Sequence, residues 1–193
     1  AWAWRMPTAT MLGLGIAALL VLPQLLYWNY ASGQWLLFTY GTKGEGFDWS
    51  SPHLFDLLIS HQNGWFVYTP LMLFVLAMLF WQARQRGNGA RSMLLVWGIT
   101  WYLYGCWWAW WLGGAFGYRG FVEYTALLSL PLALLLERVR SFKPILRRAA
   151  WGAFGLMVFL NLRLSFLYRS PWDGPDWTWN RFWHEVGRAF WVA

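Results

Sequence analysis

The chain has 193 residues, of which 59% are hydrophobic, 22% aromatic and only 12% charged, with a net charge of +7. An ordinary soluble domain carries roughly 25% charged residues, so this chain cannot coat a water-soluble globule, and a soluble enzyme, a disordered tail and a collagen-like fibre are excluded. A single cysteine excludes an internal disulfide framework and a cysteine-based zinc site.

A helix that crosses a bilayer needs about 20 mostly apolar residues, and five stretches approach that length. The first runs from Thr8 to Trp28. It is long, ends in aromatic residues and lacks a small-residue cleavage site, so it reads as a span and not as a signal peptide. The chain opens on Ala1, which points to processing or to a longer polypeptide. The glycine-rich piece YGTKGEGFDW then forms an outer loop without the strand–loop–helix setting of a phosphate cradle. Within SPHLFDLLISHQNG, Ser51 is expected to cap a helix, Pro52 to open it and Gly64 to close it. Leu54, Phe55, Leu57, Leu58 and Ile59 make its apolar side, while His53, Asp56 and Ser60 share the other, as in a helix lying on a membrane surface.

The second span is expected over Trp65–Trp81, with Pro70 in its first turn, and the third over Ser92–Trp111. The fourth runs from Phe121 to Leu136, with Pro131 inside it as Pro23 is inside the first; both prolines are expected to kink their helices. The fifth covers Ala149–Tyr168 and carries Asn161 and Arg163, which can bond inward or snorkel. After the breaker run Ser170, Pro171, Asp173, Gly174 and Pro175, Asp176 is expected to cap a last helix. Trp179, Phe182, Trp183, Val186 and Phe190 recur there at helical spacing, with Arg181 and Glu185 four apart. The fold class is therefore all-α: a polytopic integral membrane protein with five spans and outer interfacial amphipathic helices. Residues 1–169 form its membrane domain and 170–193 an interfacial tail.

Charge sets the orientation. Arg84, Arg86 and Arg91 lie between spans two and three, and Arg138, Arg140, Lys143, Arg147 and Arg148 between spans four and five. The loop between spans one and two holds only Lys43, against Glu45, Asp48 and Asp56. Excess positive charge stays cytoplasmic, so the N-terminus and both basic loops are placed inside, and the Arg119 turn and the tail outside. The basic loops meet anionic lipid head groups, leaving no compact basic face for nucleic acid. Membrane lipids are the expected partners.

Few residues point to chemistry. Trp97, Trp101, Tyr104, Trp108 and Trp111 are spaced four, three, four and three, on one helix face, widened by Trp107 and Trp110. That face reads either as helix packing with an interfacial aromatic belt or as a wall for a sugar, a polyprenyl chain or a pigment. Arg119 and Glu123 sit four apart at the outer mouth of span four. They read either as an ion pair closing the helix start or as a binding site in which the arginine fork meets a phosphate. His53, Asp56 and His61 are too loosely spaced for a metal site, and no metal is expected. No catalytic triad, HExxH or P-loop sequence occurs.

SHQNGWFVYTPLML, a basic turn, and then WWAWWLGGAFGYRGFVEYTALLSLPLALLLE together resemble the C-terminal half of bacterial GT-C-type polytopic membrane glycosyltransferases. This family is related to protein mannosyltransferases and aminoarabinose transferases. The resemblance covers Gln24 to Arg138 and implies a bacterial inner-membrane enzyme using a polyprenyl-phosphate-linked sugar at the periplasmic face. It also implies that Arg119 contacts the donor phosphate and that Glu123, His61, Trp108 and Trp111 line the same outer cavity. It supplies no metal and no further cofactor. In that family the catalytic acid stands in the first outer loop of the N-terminal half, which has no counterpart here, so this chain alone is expected to be inactive. The alternative is a non-catalytic accessory subunit of a larger membrane assembly.

Overall fold

A computed structural model describes residues 7–37, 45–85, 89–169 and 172–191. Lys43, Arg86, Ser170, Pro171 and the start of the glycine-rich loop, singled out above, lie outside the described residues. Two compact units emerge, Ala1–Glu45 and Gly46–Ala193.

The first unit is α1 (Pro7–Ser32), an unbroken helix through Pro23. It ends where Gly33 takes φ 72° and its N–H bonds Asn29 O, a left-handed stop that favours glycine. Its apolar side chains are bare in the isolated chain, Leu20 at 75% exposure and Met11 at 72%. That is the surface expected of a helix solvated by lipid.

The second unit is built from α2 (Leu54–Ile59), α3 (Trp65–Tyr68), α4 (Leu71–Ala83), α5 (Ala90–Cys106), a 3₁₀ turn Arg119–Tyr124 running into α6 (Thr125–Arg140), α7 (Pro144–Leu167) and α8 (Trp179–Trp191). Among the described residues the only strand-like feature is the bridge between Phe47 and Trp107. Three helical stretches are long and apolar enough to cross a membrane: Thr10–Ser32, Arg119–Arg140 and Pro144–Leu167. Over the described residues the protein is therefore all-helical, with three helices suited to crossing a membrane.

Spans two and three come out differently from expectation. The second is broken: Thr69 sits at φ −134°, ψ 67°, and Pro70 precedes α4 instead of lying in a first turn. Proline has no N–H to donate and pushes the residue before it out of the helical region, so the ladder stops after Tyr68. The third ends at Cys106, because the 46–48 segment competes for its backbone. The Asp48 N–H donates to Cys106 O at 2.6 Å and the Trp108 N–H to Gly46 O at 2.9 Å, which holds Trp107 extended at φ −69°, ψ 135°.

The caps also differ. Ser51 does not cap α2; His53 occupies that position without a side-chain cap, and the Ser51 N–H instead donates to Asp48 Oδ1 at 3.2 Å. Asp48 also accepts from the Ser50 N–H and hydroxyl, which hold its carboxyl below the usual carboxylate range. In the tail the Thr178 carbonyl takes the first helical bond, from Phe182, and its hydroxyl faces the Arg181 N–H at 3.5 Å; Asp176 does not cap. Glu185 pairs with Arg188 at 2.9 Å, while Arg181 donates to Asp176 O.

The unit has two unlike ends. At one, Arg138 lies over the Trp81 ring at 6.0 Å and the Arg91 side chain donates to Ala83 O, so the basic ends of α4, α5 and α6 converge. At the other, the 46–64, 107–118 and 172–178 segments close over the helices. The main core lies just beneath that lid: Phe121, fully buried, stands 4.4 Å from Trp65 and packs against Trp97, Tyr104 and Tyr118. A second core gathers Tyr68, Leu164, Trp172, Trp177 and Phe182 between α3, α7 and α8.

Candidate functional site

The lid is the densest meeting of polar and aromatic groups, and the His61–Tyr68 segment organises it. The His61 carbonyl accepts from the Tyr68 hydroxyl at 2.7 Å and from Trp177 Nε1 at 2.9 Å. Trp177 stacks on Trp172 at 4.8 Å. Asn63, almost fully buried with φ 59°, donates from Nδ2 to Trp111 O at 3.0 Å. Gln62 reaches Gly174 O at 3.2 Å. Thus SHQNGWFVYTP and WWLGGAFGYRG, about 40 residues apart, interlock, and the tail is bonded onto both.

His61 is half-buried, with its ring 5.3 Å from Trp179. Its carbonyl, not its imidazole, holds the lid together. Trp111 is partly buried and meets Trp108 edge-on at 6.2 Å; Trp108 remains 46% exposed. Neither lies on the face of Trp97, Trp101 and Tyr104, because the helix has already ended. Trp97 is only 6% exposed and stacks on Trp101 at 5.2 Å. Trp97 is therefore packing, while Trp108 is the ring of the stripe that stays exposed.

Arg119 is exposed between two anchors. Tyr118 before it is buried, and Phe121 two residues on is fully buried. Gly120 fits between them because a Cβ there would stand 2.9 Å from the Tyr104 and Tyr118 rings. Of the two readings open for Arg119 and Glu123, the ion pair does not form. Their segment is a 3₁₀ turn, in which residues three apart, not four, eclipse. Among the described residues, Arg119 makes no ion pair; its charge is felt at the Tyr168 phenol, as is that of Asp173. No hydrogen bond, ion pair or ring contact joins Arg119 or Glu123 to His61, Trp108 or Trp111 among the described residues. The predicted site residues therefore do not form one contact cluster: His61, Trp108 and Trp111 lie in the lid segments, and Arg119 and Glu123 in the 3₁₀ turn that follows.

Three lid residues escaped the sequence reading as site residues. Asn63 carried a signal, since Asn-Gly marks a turn with positive φ. Asp173 reads as a breaker, yet its carboxylate crosses to accept from the Gly114 N–H at 3.2 Å. Tyr68 had no signal beyond its aromatic class. Burial pushes the Tyr118 hydroxyl far above the usual phenol range, so it stays protonated at any physiological pH; it has no hydrogen-bond partner among the described residues. Removing the Asp173 carboxylate as Asp173→Ala should unpin the 112–114 turn from the tail. The expected cost is about 1.5–3 kcal/mol, the range for hydrogen bonds to charged groups, read as an earlier unfolding transition in detergent.

His53 and Asp56 do meet, at 3.0 Å, and His53 stacks on Trp110 at 5.3 Å. No group of three or more His, Cys, Asp or Glu side chains is placed to hold a metal among the described residues. Comparison with protein families, with curated proteins and with solved structures finds no match to this chain.

Proposed function

We propose that this chain is the C-terminal membrane portion of a GT-C-like glycosyltransferase, and that its lid binds a polyprenyl-phosphate-linked sugar with Arg119 on the phosphate. The reading rests first on the resemblance. The observation that carries it furthest is the exposed Arg119, set in a backbone turn between the buried Tyr118 and Phe121 and paired with no carboxylate among the described residues. A planar, always-charged fork left open in this way can meet phosphate geometry. Trp108, the ring of the Trp97–Trp111 stripe that stays exposed, is the stacking surface for the sugar. In this reading all five apolar stretches cross the inner membrane, α2 and α8 lie at the periplasmic surface, and the converging basic ends face the cytoplasm.

Binding of a short-chain polyprenyl phosphate to the native protein in detergent tests the phosphate role. Arg119→Ala should weaken it about tenfold or more, as loss of a charged hydrogen-bond pair predicts. Arg119→Lys should recover only part of that, because an ammonium is not bidentate. Unchanged binding in Arg119→Ala would falsify the assignment.

The accessory-subunit reading is favoured by a separate observation. Asp48, Asp56, Asp173 and Glu185 are each engaged by serine, histidine, a backbone N–H or arginine, which among the described residues leaves Asp176 in the lid and Glu123 beside it as the carboxylates open to acid–base work. The mass and co-purifying partners of the native protein distinguish the two. A longer polypeptide carrying an outer-loop acid favours the enzyme, and a tightly bound second protein favours the subunit.

A further inference from the structure

We propose that the hollow between α7 and α8 is a binding site for one hydrocarbon chain of a bulk membrane phospholipid. The inference rests on the surface placement of α8 given above, but not on any role in glycosyl transfer.

The hollow is about 300 Å³, the lower end of the range for small-ligand sites. Its walls are Met157, Leu160 and Leu164 of α7, Phe182 and Val186 of α8, and Pro70 at the break before α4. A second hollow of about 120 Å³ shares Pro70, Met157 and Asn161 with it. The two therefore follow one side of α7 past the break, over about 10 Å of helix from Met157 to Leu164.

The chemistry of the walls selects the occupant. The two polar residues that line the main hollow are already engaged: Asn161 Nδ2 donates to Tyr68 O at 2.7 Å and the Tyr68 hydroxyl donates to His61 O. Water there would find few partners, and an empty hollow would forfeit dispersion contacts along its whole lining. A hydrocarbon chain meets neither cost.

The position selects its source. α7 is long and apolar enough to cross a membrane, and the hollow lies along its C-terminal half. Trp179 and Trp183, 41% and 61% exposed, stand in its lining, so the mouth opens sideways to whatever surrounds α7. On α8 the exposed aromatic edge of Trp183 and Phe190 adjoins a polar face of Arg181, His184 and Arg188. That pattern suits a helix lying at the head-group level. No lining side chain carries a charge, so nothing in the hollow favours a scarce lipid over the bulk.

The test uses the full chain in phosphatidylcholine vesicles containing a small fraction of phosphatidylcholine with a photoactivatable diazirine in the acyl chain. Adducts are mapped by mass spectrometry. Met157, Leu160 and Val186 should carry adducts, and Val186→Trp, which fills the hollow, should abolish most labelling of Met157 and Leu160 while Trp183 and Trp191 stay labelled. Should Val186→Trp not fold, Leu160→Phe narrows the same space from α7, with Met157 and Val186 as the readout. Labelled Trp183 and Trp191 with unlabelled Met157 and Leu160 overturns the site while leaving α8 at the surface. No labelling anywhere on α8 overturns both. Displacement of the adducts by a low mole fraction of polyprenyl phosphate overturns the bulk-lipid assignment.

Discussion

Phe121→Ala should be the most damaging single truncation in this protein, at about 3–5 kcal/mol, the usual cost of removing a large buried ring. Phe121 is fully buried, with Trp65 at 4.4 Å, Tyr118 at 5.1 Å, Tyr104 at 5.9 Å and Trp97 at 6.3 Å around it. Those neighbours come from α3, α5 and the segment just before the 3₁₀ turn, so the hole left behind cannot close by moving one element. Part of the loss is geometric, since well-placed aromatic pairs contribute about 0.5–1.5 kcal/mol each beyond burial. The same change loosens the anchor that follows Arg119, so phosphate binding should weaken in parallel with stability. A reversible unfolding titration in mixed micelles measures the cost. A loss below about 1 kcal/mol would show that the site collapses readily and that Phe121 does not organise the core.

Gly64→Ala is expected to come next, through backbone instead of side chains. A Cβ at residue 64 would fall against the Ser60 carbonyl oxygen and amide nitrogen and stand 2.9 Å from the Ile59 carbonyl carbon. None of these atoms can swing aside as a side-chain end would. The turn must reopen, losing the Gly64 N–H to Ser60 O bond at 2.9 Å and disturbing the Val67 and Tyr68 N–H groups that donate to Gly64 O. Overpacking costs typically 1–3 kcal/mol, and the backbone clash places this site at about 3 kcal/mol. The loss should spread to the lid, because Asn63 on one side bonds Trp111 and Tyr68 on the other bonds His61. An alanine variant as stable as the parent would mean that the 60–64 turn has room that the backbone path does not show.

Membrane character, the helices α1, α6 and α7, and the clustering of Arg84, Arg91, Arg138 and Arg140 at one end were legible in the chain itself. For the span-five polar residues the chain left inward bonding and snorkelling both open, and the structure takes the first: Asn161 and Arg163 donate to Tyr68 O and Ala189 O. These are local properties: apolar length and charge position need no distant partner to be recognised. The site was less legible. Arg119 was identifiable by type, but its separation from Glu123 goes with the 3₁₀ turn of residues 119–124, whose spacing does not bring residues four apart together. Asp173 was invisible as a site residue because its partner, the Gly114 N–H, lies 59 positions away.

Composition and hydropathy by themselves determined that this protein is helical and has helices suited to a membrane, since the cost of exposing or burying a side chain depends mainly on the residue itself. Tertiary structure decided where the helices stop and which groups meet. Trp107 leaves its helix because the Asp48 N–H takes Cys106 O, and Trp97 is packing instead of a ligand wall because Phe121 and Trp65 cover it. A backbone carbonyl or a ring face can be claimed by more than one partner, and that competition is settled only when distant segments arrive together.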